Sequence, residues 1–291
     1  MGFSSKADFI CEIVLILVIF ILMLTCILPF VHLLSKSISS DVYVNAKQVY
    51  FIPKGVTFGA YLSLIEDGKL VKSLVYTVYM TLIFTILGMI VCTCAAYPLS
   101  RKNLKGRGFI TFILMIPMYF NAGLIPNYLL MKKLNLLDSM WVLILPLIFS
   151  SYNMLIMKTY FQSNIPDELE EAAFLDGANN LQILWKIVLP LSKPILATLS
   201  LFYAVGRWNA YADAKYYIKD QAKMPLQLIL SKMVSSATDA STMSLEAVVN
   251  TTTPEVLQAA AIMFVTIPII CVYPFLQKYF VKGVMVGAVK G

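Results

Sequence analysis

Apolar residues along this chain fall into long runs without charge, not into the short amphipathic stripes of a soluble fold. Residues 13–35 contain no charged side chain, and neither do 73–100, 108–131, 139–157 and 256–277. A helix needs ~20 mainly apolar residues to cross a bilayer, so these runs predict five spans. A sixth, 195–214, is apolar as far as Gly206 and then takes in Arg207 and Asp213. The pattern predicts an all-α, polytopic membrane protein with six transmembrane helices in one domain over residues 1–291. Pro29, Pro98, Pro117, Pro126, Pro146, Pro268 and Pro274 lie in or near the spans. Membrane helices tolerate such breaks where neighbours satisfy the freed backbone groups, so bent helices are expected.

Composition agrees with the pattern. The 291 residues are 59% hydrophobic and 13% charged, with a mean hydropathy of +0.78; a soluble domain carries about 25% charged residues. The first run is followed by His-Leu-Leu-Ser-Lys and by no small-x-small cleavage pattern, so an uncleaved helix is expected, not a signal peptide. The net charge of +7 sits mostly in the polar breaks between runs. Anionic lipid headgroups are the expected neighbours there, and nothing suggests nucleic acid. Five cysteines scattered in apolar runs and a single histidine, His32, give no metal-ligand spacing.

Residues 101–107, with four basic side chains in seven, supply the strongest topology signal. The positive-inside rule makes this connection cytoplasmic, and with six spans both termini and residues 158–194 follow. The opposite side also carries Lys36, Lys47, Lys54, Lys69, Lys72, Lys132 and Lys133, so orientation rests on that short connection. Two outer segments are long, 36–72 and 215–255. The small polar stretch 235–242 in the second is suited to a loop. Docking of an external partner and plain solvated surface are both compatible with such loops.

Residues 163–190 lie on the cytoplasmic side of this topology. Pro166 suits a first helical turn, Asp167, Glu168, Glu170 and Glu171 lie toward the positive end of the helix dipole, and Gly177 can provide a left-handed stop. Leu169, Ala172 and Ala173 share a face at helical spacing. A second helix, capped near Asn179 or Asn180, places Leu181, Leu184, Trp185 and Val188 on an apolar stripe and ends near Pro190. Interfacial helices favour Lys and Arg on their polar face. This first helix is acidic, which favours a protein partner over the bilayer surface.

Within it, Glu171-Ala172-Ala173, three residues, Gly177, nine residues and then Ile187-Val188-Leu189-Pro190 match E-A-A-x3-G-x9-I-x-L-P at every specified position. This spacing resembles the signature of permease subunits of binding-protein-dependent ABC importers. The whole chain is similar to the second permease of maltose-type and other oligosaccharide importers. It shares their six-helix layout, the 123–126 and 145–146 stretches and the tail 280–291. The resemblance implies that Glu171, Ala172, Ala173, Gly177, Ile187, Leu189 and Pro190 couple the membrane helices to a cytoplasmic ATPase. It also implies a second homologous permease, two ATPase subunits, an extracellular solute-binding protein meeting residues 215–255, and a tail that touches the ATPases.

No G-x-x-x-x-G-K-[ST] phosphate loop occurs in the chain. ATP and Mg are therefore expected on the partner ATPase, with no cofactor or metal bound by this chain and no enzymatic activity of its own. For the solute pathway, Arg207, Trp208, Asn209, Tyr211 and Asp213 combine aromatic, amide and charged groups within a span. Tyr119, Asn121, Tyr152 and Asn153 are further candidates. Interfacial anchoring by the aromatics and simple pairing of Arg207 with Asp213 account for the same residues. An oligosaccharide or other sugar is the expected solute; a peptide, amino acid or phosphonate permease, or a stand-alone membrane protein, is the alternative.

Overall fold

The computed structural model describes residues 6–240 and 253–288, and the side chains of residues 9–235 and 253–271. The described residues form helices and turns without strands. In chain order the helices are α1 (Lys6–Ser37), α2 (Asp41–Asn45), α3 (Gly59–Glu66), α4 (Lys69–Ser100), α5 (Arg107–Tyr119), α6 (Leu124–Lys133), α7 (Ser151–Asn164) and α8 (Asp167–Leu175). They continue with α9 (Asn180–Ile183), α10 (Leu189–Leu191), α11 (Lys193–Asn209), α12 (Ala212–Tyr217), α13 (Leu226–Ala240) and α14 (Pro254–Ala288). The chain divides into two units, residues 1–70 with 230–268, and residues 71–229 with 269–291.

In the first unit, α1 presents apolar side chains on all sides from Phe9 to Leu28. A helix apolar all round and without a packed face suits a lipid or partner-helix environment. The polar end of α1 holds the segment after it. His32 Nδ1 lies 2.7 Å from the Tyr50 carbonyl, and the Ser35 hydroxyl donates to the Phe51 carbonyl. Ser39 accepts from the Lys54 amide. The start of α14 is tied to the same region: Lys36 pairs with Glu255 at 2.9 Å, and the Asp41 carboxylate accepts from both the amide and the hydroxyl of Thr253.

The second unit contains a continuous buried core that includes Met80, Phe84, Leu143, Met154, Phe161, Ile183, Leu199 and Leu228. Helix α4 runs through it unbroken. The other spans expected there are broken. Residues 108–131 become α5 and α6, bent by 111°, because Phe120 is extended and the Asn121 side chain accepts the Gly123 amide in a tight turn with Gly123 at φ +87. Residues 139–157 become two 3-10 turns around Pro146 followed by α7, bent by 49°. The Ser150 side chain caps α7.

The sixth expected span also departs from a single helix. Helix α11 stops at Asn209, Ala210 is extended, and Asp213 lies in the separate α12. On the other side, the helix expected to end near Pro190 ends at Leu191, and the chain turns by 84° at Ser192. Pro194 sits in the first turn of α11, where its missing amide is not needed.

Asp138 organises the segment after α12. Its carboxylate accepts the Lys219 and Asp220 amides at 3.0 Å, and its carbonyl accepts from the Lys223 ammonium. Those two amide bonds hold the carboxyl below its usual range. Next, the Ser73 hydroxyl donates to the Met224 carbonyl, and Thr77 accepts the Leu226 amide at the start of α13. The stretch expected to loop from Ser235 is helical to Ala240. Ser235 there bonds back to the Ser231 carbonyl, which a helix accommodates; residues 241–252 lie outside the described residues, as do 289–291 of the expected tail.

Candidate functional site

The E-A-A segment folds as a helix–turn–helix knob. Pro166 precedes α8, and Asp167, Glu168 and Glu170 occupy the first turn, where the free amides and the helix dipole favour negative charge. The helix stops at Gly177, whose φ of +81 is open to glycine without strain. No neighbouring atom lies within 4 Å of where a Cβ would stand. Conformation alone, within this chain, requires the glycine. Asn179 then caps α9 in a reciprocal capping box with Gln182, each side chain accepting the other residue's amide at 2.9 Å.

Burial divides the knob differently from the spacing. On α8, Ala173 and Glu170 face inward, while Leu169, Glu171 and Ala172 face solvent. The alanine pair is therefore split, and a carboxylate stands on the buried face. Past α9 the stripe divides too: Leu184 and Val188 are buried, whereas Leu181 and Trp185 are about two-thirds exposed. A π-helical stretch from Leu184 to Val188 widens the turn and shifts residues out of the 3.6-residue register. Ile187 and Leu189 are half-buried and Pro190 is exposed. Leu169, Phe174, Leu175 (90% exposed), Leu181 and Trp185 give the knob an apolar outer surface.

The buried carboxylate is paired. Glu170 meets the Arg101 guanidinium at 2.7 Å, with both side chains largely out of solvent. Arg101 also lies over the Tyr97 ring, 4.9 Å from its centroid. Burial pushes the Glu170 carboxyl above its ordinary range, with Arg101 opposing and Asp167 adding to the shift. At the solvent edge Lys102 donates to Asp167 at 2.7 Å, which holds that carboxyl below its usual range. A polar cleft of about 570 Å³ opens beside them, lined by residues including Lys102, Arg107, Gln162, Asn164, Asp167 and Glu168. Sequence reasoning used 101–107 as a topology marker and missed this contact. The available signal was charge: a basic connection and an acidic helix expected on the same side.

The residues expected along a solute pathway do not form one site. Arg207 is 2% exposed. It grips both oxygens of Asp213 at 2.6 and 3.0 Å and donates to the Leu143 and Ala210 carbonyls. Its guanidinium is occupied in closing the α11–α12 corner. Asn209 donates to the Val205 carbonyl of its own helix, and Asn121 makes the α5–α6 turn. Tyr119, Tyr152 and Tyr211 are exposed, and Trp208 is half-buried. Asn153 and Arg207 do share the lining of a cleft of about 180 Å³ with Phe84, Ser150, Phe202 and Tyr203.

Described residues that are helical without strands, apolar helices long enough to cross a membrane and an E-A-A knob define a transporter permease. A sequence profile of binding-protein-dependent transport system inner membrane components matches residues 55–286. The chain belongs to that family and is a membrane-embedded permease subunit of an ABC importer. It is 42% identical to the polygalacturonan/rhamnogalacturonan transport system permease protein YtcP of Bacillus subtilis, over 92% of this chain and 94% of that protein. Protein LplC of the same organism is 38% identical over 91% of this chain and 90% of its own. The fold matches a crystal structure of a bacterial ABC transporter involved in the import of the acidic polysaccharide alginate. That match has a TM-score of 0.88 and 35% identity, and covers 96% of this chain and all of the other.

Proposed function

We propose that this permease imports an acidic oligosaccharide, a short chain containing uronate units. The carrying observation is that a relative matched over nearly the whole chain transports polygalacturonan and rhamnogalacturonan, and that the matched solved structure serves alginate. Surface charge supports the reading. Lys132, Lys133, Lys215 and Lys219 are exposed and form no ion pair among the described residues. On the expected outer side they would raise the local concentration of an anionic solute.

In this reading the chain pairs with a second permease and is driven by two cytoplasmic ATPases that hold ATP and Mg, with an external binding protein delivering the solute. Both termini are cytoplasmic. The apolar outer surface of the knob, with Glu171 and Ala172 beside it, seats in the ATPase, and Gly177 sets the angle between its two arms. The cleft at Asn153 contributes to the pathway, whereas Arg207 holds the corner that shapes it. ATP-driven closure shifts the population of the bundle toward its outward-open state.

The test is purification of the complex in mild detergent, reconstitution, and ATP-driven uptake of labelled oligogalacturonate against a neutral oligosaccharide of equal length. Preferential uptake of the oligogalacturonate is expected, weakening as ionic strength rises and screens the lysines. Equal or greater uptake of the neutral sugar would remove the acidic class while leaving the importer in place.

A further inference from the structure

The knob has two unlike faces. Its outer face is apolar and open, and its inner face is fastened to the end of α4. At that junction the buried Glu170 carboxylate meets the largely covered Arg101 guanidinium at 2.7 Å, and the guanidinium is backed by the Tyr97 ring one turn earlier in α4. Lys102 and Asp167 repeat the pairing at the solvent edge. The last turn of α7 joins them through Gln162, which donates to the Ser100 carbonyl at 3.4 Å, and Ile165 is buried between α7 and α8. The end of α4 is therefore tied to α8 by two ion pairs of matching direction. Helix α4 itself is unbroken over 32 residues, about 48 Å at 1.5 Å per residue, so a displacement applied at one end is carried along its length.

We infer that the Arg101–Glu170 pair is a clasp that makes the end of α4 and the coupling helix move as one body, with Arg101 a positioning residue for coupling. The inference rests on the assignment of 163–190 as the coupling loop. A force applied by the ATPase to the open face of α8 passes through the clasp into α4. Burial suits the pair to this task, because salt screens it far less than an exposed pair. Its geometry suits it as well, because removal of either partner leaves a charge without compensation. That charge must regain water or, for Glu170, take up a proton, and either outcome loosens the contact.

The test uses the purified complex with its ATPases and second permease, the five native cysteines replaced, and spin labels at Lys105→Cys and Glu168→Cys. Both positions are exposed and lie outside the clasp. The inter-label distance is expected to be narrow and identical in the nucleotide-free and ATP-trapped states. A distance that changes on trapping overturns the clasp. Arg101→Met or Glu170→Gln should broaden the distribution and raise ATP hydrolysed per solute imported about tenfold, within the usual range of coupling between sites. The swap Arg101→Glu with Glu170→Arg should narrow the distribution again and restore coupling. Single variants that assemble and keep both the distance and the ratio wild-type would make the pair merely structural. The distance needs no solute, so it decides the clasp even where oligogalacturonate proves not to be transported.

Discussion

The knob at 163–190 and the corner at 207–213 each enclose a buried arginine–carboxylate pair, and the two pairs are built differently. Arg207 and Asp213 are six residues apart. Their fork is bidentate, and two backbone carbonyls take up further guanidinium donors. The pair closes a bend in its own segment. Arg101 and Glu170 come from distant parts of the chain, meet at a single short contact, and sit where an outer, unpartnered surface begins. A charge in an apolar setting can thus serve a fold or join two parts that must move together. The number of bonds it makes and the sequence distance it spans separate the two cases.

The largest effect is expected at the corner. Arg207→Ala leaves the part-buried Asp213 carboxylate without its partner and empties the space of a fully buried side chain, at a cost of up to about 3–5 kcal/mol. Thermal unfolding followed in detergent should show a large loss of stability with little protein recovered. Retention of normal stability would move Arg207 out of the fold and back among the pathway residues.

Gly177 is expected to show an intermediate effect that falls on coupling. Valine is strained at positive φ, so Gly177→Val should assemble yet lose most transport while ATP hydrolysis continues. Asparagine visits the left-handed region readily, and the space around the site is open within this chain. Gly177→Asn should therefore keep most transport. Equal loss in both variants, measured in reconstituted complex, would show that the ATPase needs the empty space itself.

The smallest effect is a pH dependence of the knob. Glu170 faces Tyr97 from α4, Arg101 directly after that helix, and Asp167 from its own helix. Its carboxyl is raised by burial, so the folded protein binds that proton more tightly than the unfolded chain does. The contribution of Glu170 to stability therefore falls as pH rises through the raised value, while its charge attraction to Arg101 exists only above it. Asp167 is shifted the other way and stays ionised as pH falls through the ordinary carboxylate range. Acidifying the cytoplasmic side should weaken coupling at a pH above the usual glutamate titration, and Glu170→Gln should abolish this dependence. A dependence unchanged in the glutamine variant would place it in another group.

Much of the plan was legible in the sequence. The charge-free runs marked the apolar segments, because a bilayer tolerates few charges and each run reports that constraint directly. The turn at Gly177 and the cap at Asn179 were readable as well, since both depend on residues adjacent in the chain. Bending near the prolines was expected, and the turn at Ser192 falls between the helix end expected near Pro190 and the span expected from residue 195. The full break at Asn121 was not legible, because hydropathy records where a side chain can reside and not whether the backbone beneath it stays helical.

Local chemistry thus determined the class of protein, its apolar segments and the punctuation of the knob. Tertiary structure alone decided which face of the knob is covered. On spacing, Leu169, Ala172 and Ala173 are equivalent. In the folded protein Arg101, from a remote segment, draws Glu170 inward and turns Leu169 and Ala172 out. A buried charge must be paired, and where its partner stands is a property of the fold.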